Sequence, residues 1–430
     1  MSRVHKSRLT PRKALSRIYR PHALSNDEHL YLEELTLLGK VLAEVIGRAR
    51  GSNIPVQPEL LQWLASIDAE RQQLAYLPKI ERMPRNTRVH RFKTVVEALG
   101  LHLGRRDGFE NMFLFSPEQV IRIAALLFPN GFESPKHGRL GSEEAMLMLL
   151  AAFRDRHRNF AALAFTLCRD PDNLSRHIKN MIADIDRKYS ALLDTACLKI
   201  HAEVDINNVA RKVPIWRSAM EKLFETKFPG INRHEFFDGI CLVMDGLRYD
   251  VTRCSFSAIE ESTYSGYSRT HDLVWGVLIA PDGLVLALIG PYSGRHNDHV
   301  FITQELEKAV TEIQAKVLAD GIFAVRDWLR PLPCARDKEN YEFAENQVAA
   351  YSALRMPIEW TIGNTKASFP FAFVGARNKV LQTDITARLR VSFLLRNLYT
   401  LMNGSGTSKY FSLRQTTTPE EYLARASVLL

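Results

Sequence analysis

The sequence predicts a mixed α/β fold in its C-terminal half behind an all-α N-terminal half, on three observations. An apolar run, Ile240-Cys241-Leu242-Val243-Met244, stops at Asp245 and Gly246, as a short strand buried on both faces does. Two further apolar runs, Leu273 to Ile279 and Leu284 to Ile289, flank Pro281-Asp282-Gly283, a turn signal that makes them a hairpin. Upstream of these, apolar residues recur at helical spacing instead.

Residues 1–26 form a basic arm in which Arg3, Lys6, Arg8, Arg12, Lys13, Arg17 and Arg20 precede the first acid, Asp27. Such an arm reads as a solvated tail, or as a nuclear-import or DNA-backbone arm. Residues 27–135 are predicted helical, with an apolar face from Leu30 to Leu42 and a basic stretch from Arg82 to Lys93. Pro129-Asn130-Gly131 through Gly141 marks a linker.

Residues 142–195 predict three helices. Ser142 caps the first, with Glu143 and Glu144 in its opening turn where the helix dipole favours acids. A short second helix runs from about Asn159 to Cys168, and Asp170-Pro171 opens the third. Leu174, Ile178, Met181, Ile182 and Ile185 give that third helix one apolar stripe, and Arg176, His177 and Lys179 lie off it. The unit is helix-turn-helix-like, which makes those three residues candidate DNA contacts; a plain three-helix packing element has the same pattern.

The mixed α/β domain spans residues 216–403, with a C-terminal tail at 404–430. After the hairpin, Asp298 opens a helix carrying Phe301, Leu306, Val310 and Ile313, and Val317-Leu318-Ala319 is a strand ending at Asp320. A helix is expected from about Glu339 to Leu354, and Pro357 begins a last one that carries Glu359.

Bulk properties narrow the function. A net charge of +9 favours an anionic partner, of which nucleic acid is the commonest. Five cysteines without a CxxC pair suggest neither a disulfide framework nor a zinc site. No apolar stretch approaches the roughly 18 residues needed to cross a bilayer, and no hydrophobic core of a signal peptide opens the chain.

Strand, hairpin, helix, strand, helix is the order of a ribonuclease H-like core. In that order Asp245 lies on the first strand, Asp320 at the end of the fourth and Glu359 on a later helix. A buried strand-end carboxylate needs a positive partner, and hard oxygen ligands suit Mg²⁺ or Mn²⁺ better than zinc. Two such ions would serve phosphoryl transfer.

From Phe228 to Phe369 the chain resembles the catalytic domain of PIF/Harbinger-type DDE transposases and their domesticated nuclease relatives. The resemblance rests on Phe228-Pro229-Gly230 with Met244-Asp245-Gly246, on Gly294 to Asp298 with Val300-Phe301, and on Ala319 to Phe323 with Trp328 to Pro331. A final block holds Arg355, Ile358-Glu359, Gly363, Lys366 and Phe369, and Leu398 to Asn403 is similar to the family's terminal helix.

The resemblance implies four metal-binding, catalytic acids, Asp245, Asp298, Asp320 and Glu359, and leaves open which of Asp298 and Asp320 is the essential second one. It implies a metal-dependent endonuclease and transposase, nuclear, that cuts and joins double-stranded DNA at terminal inverted repeats. A Myb-like DNA-binding partner and a homo-oligomer also fit, and Lys366 joins the candidate DNA contacts. Where the family carries Thr and His after the first Asp-Gly, this chain has Leu247 and Arg248. Arg248 could contact a DNA phosphate or repel the metal. The rival reading is a domesticated, catalytically silent DNA- or chromatin-binding protein on the same fold.

Overall fold

Apolar strands buried on both faces build one mixed sheet between residues 240 and 331. The computed structural model describes residues 107–428 except 135–137, 157–159, 161–162, 165–166, 168–170, 267, 333–344 and 374–383. The basic arm, the helical stretch up to residue 106 and most of the helix expected between Asn159 and Cys168 lie outside the described residues.

The first described elements are α1 (Asp107–Phe113), α2 (Pro117–Leu127), a small antiparallel pair β1 (Phe132–Ser134) and β2 (Gly138–Leu140), α3 (Ser142–Arg154) and α4 (Pro171–Tyr189). The stretch expected to be a linker is therefore this pair, closed by the buried Phe132 and Leu140. Helix α3 is buried continuously from Ala145 to Phe153, as an all-round apolar helix must be. On α4, Arg176 and Lys179 are exposed. His177 is buried with the apolar stripe, its ring 6.5 Å from that of Phe132, and so does not belong to the exposed polar face.

The sheet follows α5 (Lys212–Lys227). Its strands are β3 (Ile240–Asp250), the two-residue β4 (Tyr264–Ser265) after helix α6 (Ser257–Thr263), β5 (Thr270–Ile279), β6 (Val285–Ser293), β7 (Lys316–Ala319) and β8 (Leu329–Pro331). Helix α7 (Gln304–Glu312) crosses from the hairpin to β7. Strand β5 is antiparallel to β3 and to β6, while β7 is parallel to β3 and to β8. The order across the sheet is thus β6-β5-β3-β7-β8, three antiparallel strands followed by two parallel ones, with the short β4 also antiparallel to β5. This mixed sheet flanked by helices fits a nuclease-like core.

Strand β3 does not stop at Asp245. It continues to Asp250 because Leu247 and Tyr249 alternate into the core beyond the apolar run. Val243, Leu247, Tyr249, Val277 and Leu318 pack on one face with Met220 and Phe224 of α5. Leu354 and Ile358, from the long helix α8 (Glu345–Ser368), join the same face. Leu242, Met244, Val274 and Leu278 pack on the other face with Phe301, Leu306 and Val310.

Helix α8 runs through Pro357, where the sequence reading began a new helix. An interior proline removes the amide that would bond the carbonyl four residues back. That carbonyl belongs to Ala353, and the Tyr410 hydroxyl donates to it at 3.2 Å.

The expected tail is packed. Helix α9 (Ile385–Asn403) is followed by α10 (Gly406–Tyr410) and α11 (Pro419–Ala424), and Tyr422 is fully buried. Buried Asn397 accepts from the Val285 amide at 2.9 Å and donates to the Val285 carbonyl and the Tyr422 hydroxyl at 2.8 Å each. It thereby supplies the partners that an edge strand lacks.

Candidate active site

Register brings two acids side by side. Val243 of β3 pairs with Leu318 of the parallel β7, and both side chains belong to the same core cluster. Two residues further along stand Asp245, inside β3 and on the α8 face, and Asp320, just past the end of β7. Asp245 is half-buried, and its Oδ1 accepts from the Gly246 amide at 2.9 Å. Asp320 is exposed at the end of β7, and its Oδ1 accepts from the Gly321 amide at 2.7 Å.

Glu359 reaches the same face from α8. Arg355, one helical turn earlier, joins it to the strand: Nη1 lies 2.8 Å from Asp245 Oδ2 and Nη2 lies 2.6 Å from Glu359 Oε1. Burial pushes the Asp245 carboxyl above its ordinary range, Arg355 pulls it down, and the charge of Asp320 pushes it up again. Burial and a like charge thus outweigh the guanidinium, as in a site short of positive charge.

Asp298 approaches from the other side of β3. It does not open an α-helix; it begins a 3₁₀ turn, Asp298–Phe301, while Thr303 caps α7 by accepting from the Leu306 amide at 3.1 Å. Gly246 and Gly276 pair across β3 and β5, and the turn presses on both. A Cβ on Gly246 would stand 3.0 Å from Asp298 Oδ2, on the face opposite the Asp245 side chain. Burial pushes the Asp298 carboxyl up, Arg248 pulls it down, and Asp320 pushes it up. Asp320 is therefore the acid whose charge reaches both Asp245 and Asp298.

Arg248 lies 3.4 Å from Asp298 Oδ1 and 3.4 Å from Asp272 Oδ2. Asp272 is fully buried and accepts from the Ser268 hydroxyl at 3.0 Å. Burial pushes its carboxyl up against the pull of Ser268 and Arg248. Sequence reasoning missed Asp272. Its one signal is the one that singled out Asp245, a carboxylate bordering an apolar strand run. Lys366 is exposed near the end of α8.

The donor chemistry fits a hard divalent cation: carboxylates from the middle of β3, the end of β7 and helix α8, at a place where burial already raises a carboxyl. Among the described residues, no three His, Cys, Asp or Glu side chains are gathered closely enough to hold a metal as they stand. Between Asp245 and Glu359 the intervening group is Arg355.

Residues 244–397 match the family model described as DDE superfamily endonuclease. The matched segment contains Asp245, Asp298, Asp320 and Glu359 and supports a DDE transposase-like family, a group whose nucleases act on DNA and generally use divalent metals. No curated protein and no solved structure matches the chain. Among the described residues no helix is long and apolar enough to cross a membrane.

Proposed function

We propose that the chain is a metal-dependent DNA endonuclease and transposase of the PIF/Harbinger type, acting in the nucleus on double-stranded DNA at terminal inverted repeats. One observation carries the proposal: Asp245 stands in β3 and Asp320 just past the end of the neighbouring parallel β7, and Glu359 of α8 is joined to Asp245 through Arg355. Asp245, Asp320 and Glu359 are the metal-holding carboxylates in this reading. Two divalent ions, Mg²⁺ or Mn²⁺, held there would supply the Lewis acid for phosphodiester hydrolysis and strand joining.

The remaining roles belong to the chain itself. The Gly246 and Gly321 amides fix one oxygen each of Asp245 and Asp320, while the other oxygen of Asp245 is held by Arg355. Asp298 and the buried Asp272 hold Arg248 between them as a positioning pair. Arg176, Lys179 and Lys366 are exposed cations suited to backbone phosphates. A Myb-like partner and a homo-oligomer remain part of the proposal on the strength of the family resemblance.

The test is nicking of supercoiled plasmid by the purified full chain with Mg²⁺ or Mn²⁺. Wild type is expected to nick, and Asp245→Asn to fall to background while still binding DNA. A second reading, a catalytically silent DNA-binding protein, draws on the arginines that already answer Asp245, Glu359 and Asp298. It predicts no nicking by wild type with either metal, and DNA affinity indifferent to Asp245→Asn.

A further inference from the structure

We propose that Arg355 is a resident counter-ion of the acid site which a divalent cation must displace, so that metal entry and release of the Arg355 side chain are one event. The inference rests on the metal-site reading of Asp245 and Glu359, and it concerns how that site is kept while no metal is bound.

The guanidinium spans the two acids with charge-assisted bonds of 2.8 and 2.6 Å. It is sheltered, its side chain 14% exposed, and its buried Nε has no hydrogen-bond partner among the described residues. Its hydrogen bonds there go to Asp245 and Glu359, so once those carboxylates turn to another cation nothing equivalent holds it in place. A divalent ion held by the same two carboxylates would need the oxygens that Arg355 now occupies. Guanidinium nitrogens at hydrogen-bond distance from those oxygens would then face a divalent charge at close range, in a half-buried setting where repulsion is poorly screened. Both cations cannot occupy the gap.

Two consequences follow. Arg355 keeps the strand and helix acids together when no metal is bound, bonded to both at once. It also weakens apparent metal affinity, because the incoming ion must break two charged hydrogen bonds.

The experiment is a Mn²⁺ titration by calorimetry on the metal-free full chain, together with thermal melts with and without Mn²⁺. Wild type, Arg355→Gln, Arg355→Lys and Asp245→Asn are compared. Arg355→Gln is expected to bind Mn²⁺ roughly 10- to 100-fold more tightly than wild type. Its metal-free Tm is expected to fall, and its gain in Tm on adding Mn²⁺ to exceed that of wild type. Arg355→Lys keeps the charge but loses the two-pronged fork; it is expected between the two and serves alone if the glutamine variant does not fold.

Folded variants that bind Mn²⁺ no more tightly than a Mn²⁺-binding wild type overturn the inference and leave the metal-site reading standing. If neither wild type nor the Arg355 variants bind Mn²⁺ above Asp245→Asn, the metal-site reading itself fails and takes the inference with it.

Discussion

Gly246 makes room for Asp298: a Cβ at position 246 would stand 3.0 Å from Asp298 Oδ2 and 3.2 Å from its Cγ. The contact is with the face of β3 opposite the Asp245 side chain, so the glycine keeps two acidic environments close in space and separated by the strand. Across the ladder, a Cβ on Gly276 would stand 2.9 Å from Cγ of Phe301, in the same turn as Asp298.

Gly246→Ala and Gly276→Ala are therefore expected to destabilise by about 1–3 kcal/mol each through overpacking, measured by denaturant unfolding. Gly246→Ala should also loosen the 3.4 Å contact between Arg248 and Asp298. Because the Asp245–Arg355–Glu359 side is untouched, its Mn²⁺ affinity should stay within about twofold of wild type. A large loss of Mn²⁺ binding would show that Asp298 belongs to the metal site after all.

The Tyr410 hydroxyl compensates for Pro357 by taking the Ala353 carbonyl. Tyr410→Phe is expected to cost about 1–3 kcal/mol, the range for a polar group left without its partner. In a Pro357→Ala background the restored amide can reach Ala353, so the same substitution should cost clearly less. Equal costs in the two backgrounds of a double-mutant cycle would dissociate the tyrosine from the proline.

What was legible in the sequence follows from what each pattern encodes. The run Ile240–Met244, the hairpin and Val317–Ala319 announced strands because burial on both faces demands unbroken apolar residues. The continuation of β3 through Leu247 and Tyr249 is a two-residue alternation, too brief to separate from a loop without its partner β5. Proline in the sequence signals a helix start, and the hydroxyl that compensates for it inside α8 lies far along the chain, at Tyr410. The acids are visible as residue types in sequence order, but that Asp320 follows the strand beside Asp245 while Asp298 lies on the opposite face of β3 depends on register and on Gly246. Arg355 stood in a recognised block with no role assigned, since only the packing of α8 over β3 brings it between two acids.

His201 is wholly buried. Arginine can only donate, so the contact of Arg425 Nη1 with Nδ1 at 3.4 Å makes Nδ1 the acceptor and leaves Nε2 to donate to the Leu192 carbonyl at 2.8 Å. Burial pushes the imidazole down to about 4, against the Leu192 bond and with the nearby charges of Arg425 and Lys212. Between about 6.5, the ordinary value, and that folded value, the unfolded chain binds a proton that the folded chain does not. Stability should thus fall as pH drops through this window, by on the order of 3 kcal/mol in all, with no further contribution below it. Unfolding free energies of wild type and His201→Gln at pH 4–7 should diverge in that sense. Parallel profiles would remove His201 as the cause.

The sharpest division concerns the second acid. If the metal-holding set is Asp245, Asp320 and Glu359, then Asp320→Asn should abolish plasmid nicking and lower Mn²⁺ affinity as Asp245→Asn does, while the protein stays folded. It should also lower the Asp245 carboxyl toward its ordinary range, because the charge of Asp320 is one of the influences raising it. Asp298→Asn should act differently. It removes a charge that faces Arg248, so it should leave Mn²⁺ affinity near wild type and weaken nicking only as far as Arg248 depends on it for position. Nicking by Asp298→Asn under conditions where Asp320→Asn is silent would assign Asp320 as the second acid. The reverse outcome would move the metal to the Gly246 face, where Asp298 stands.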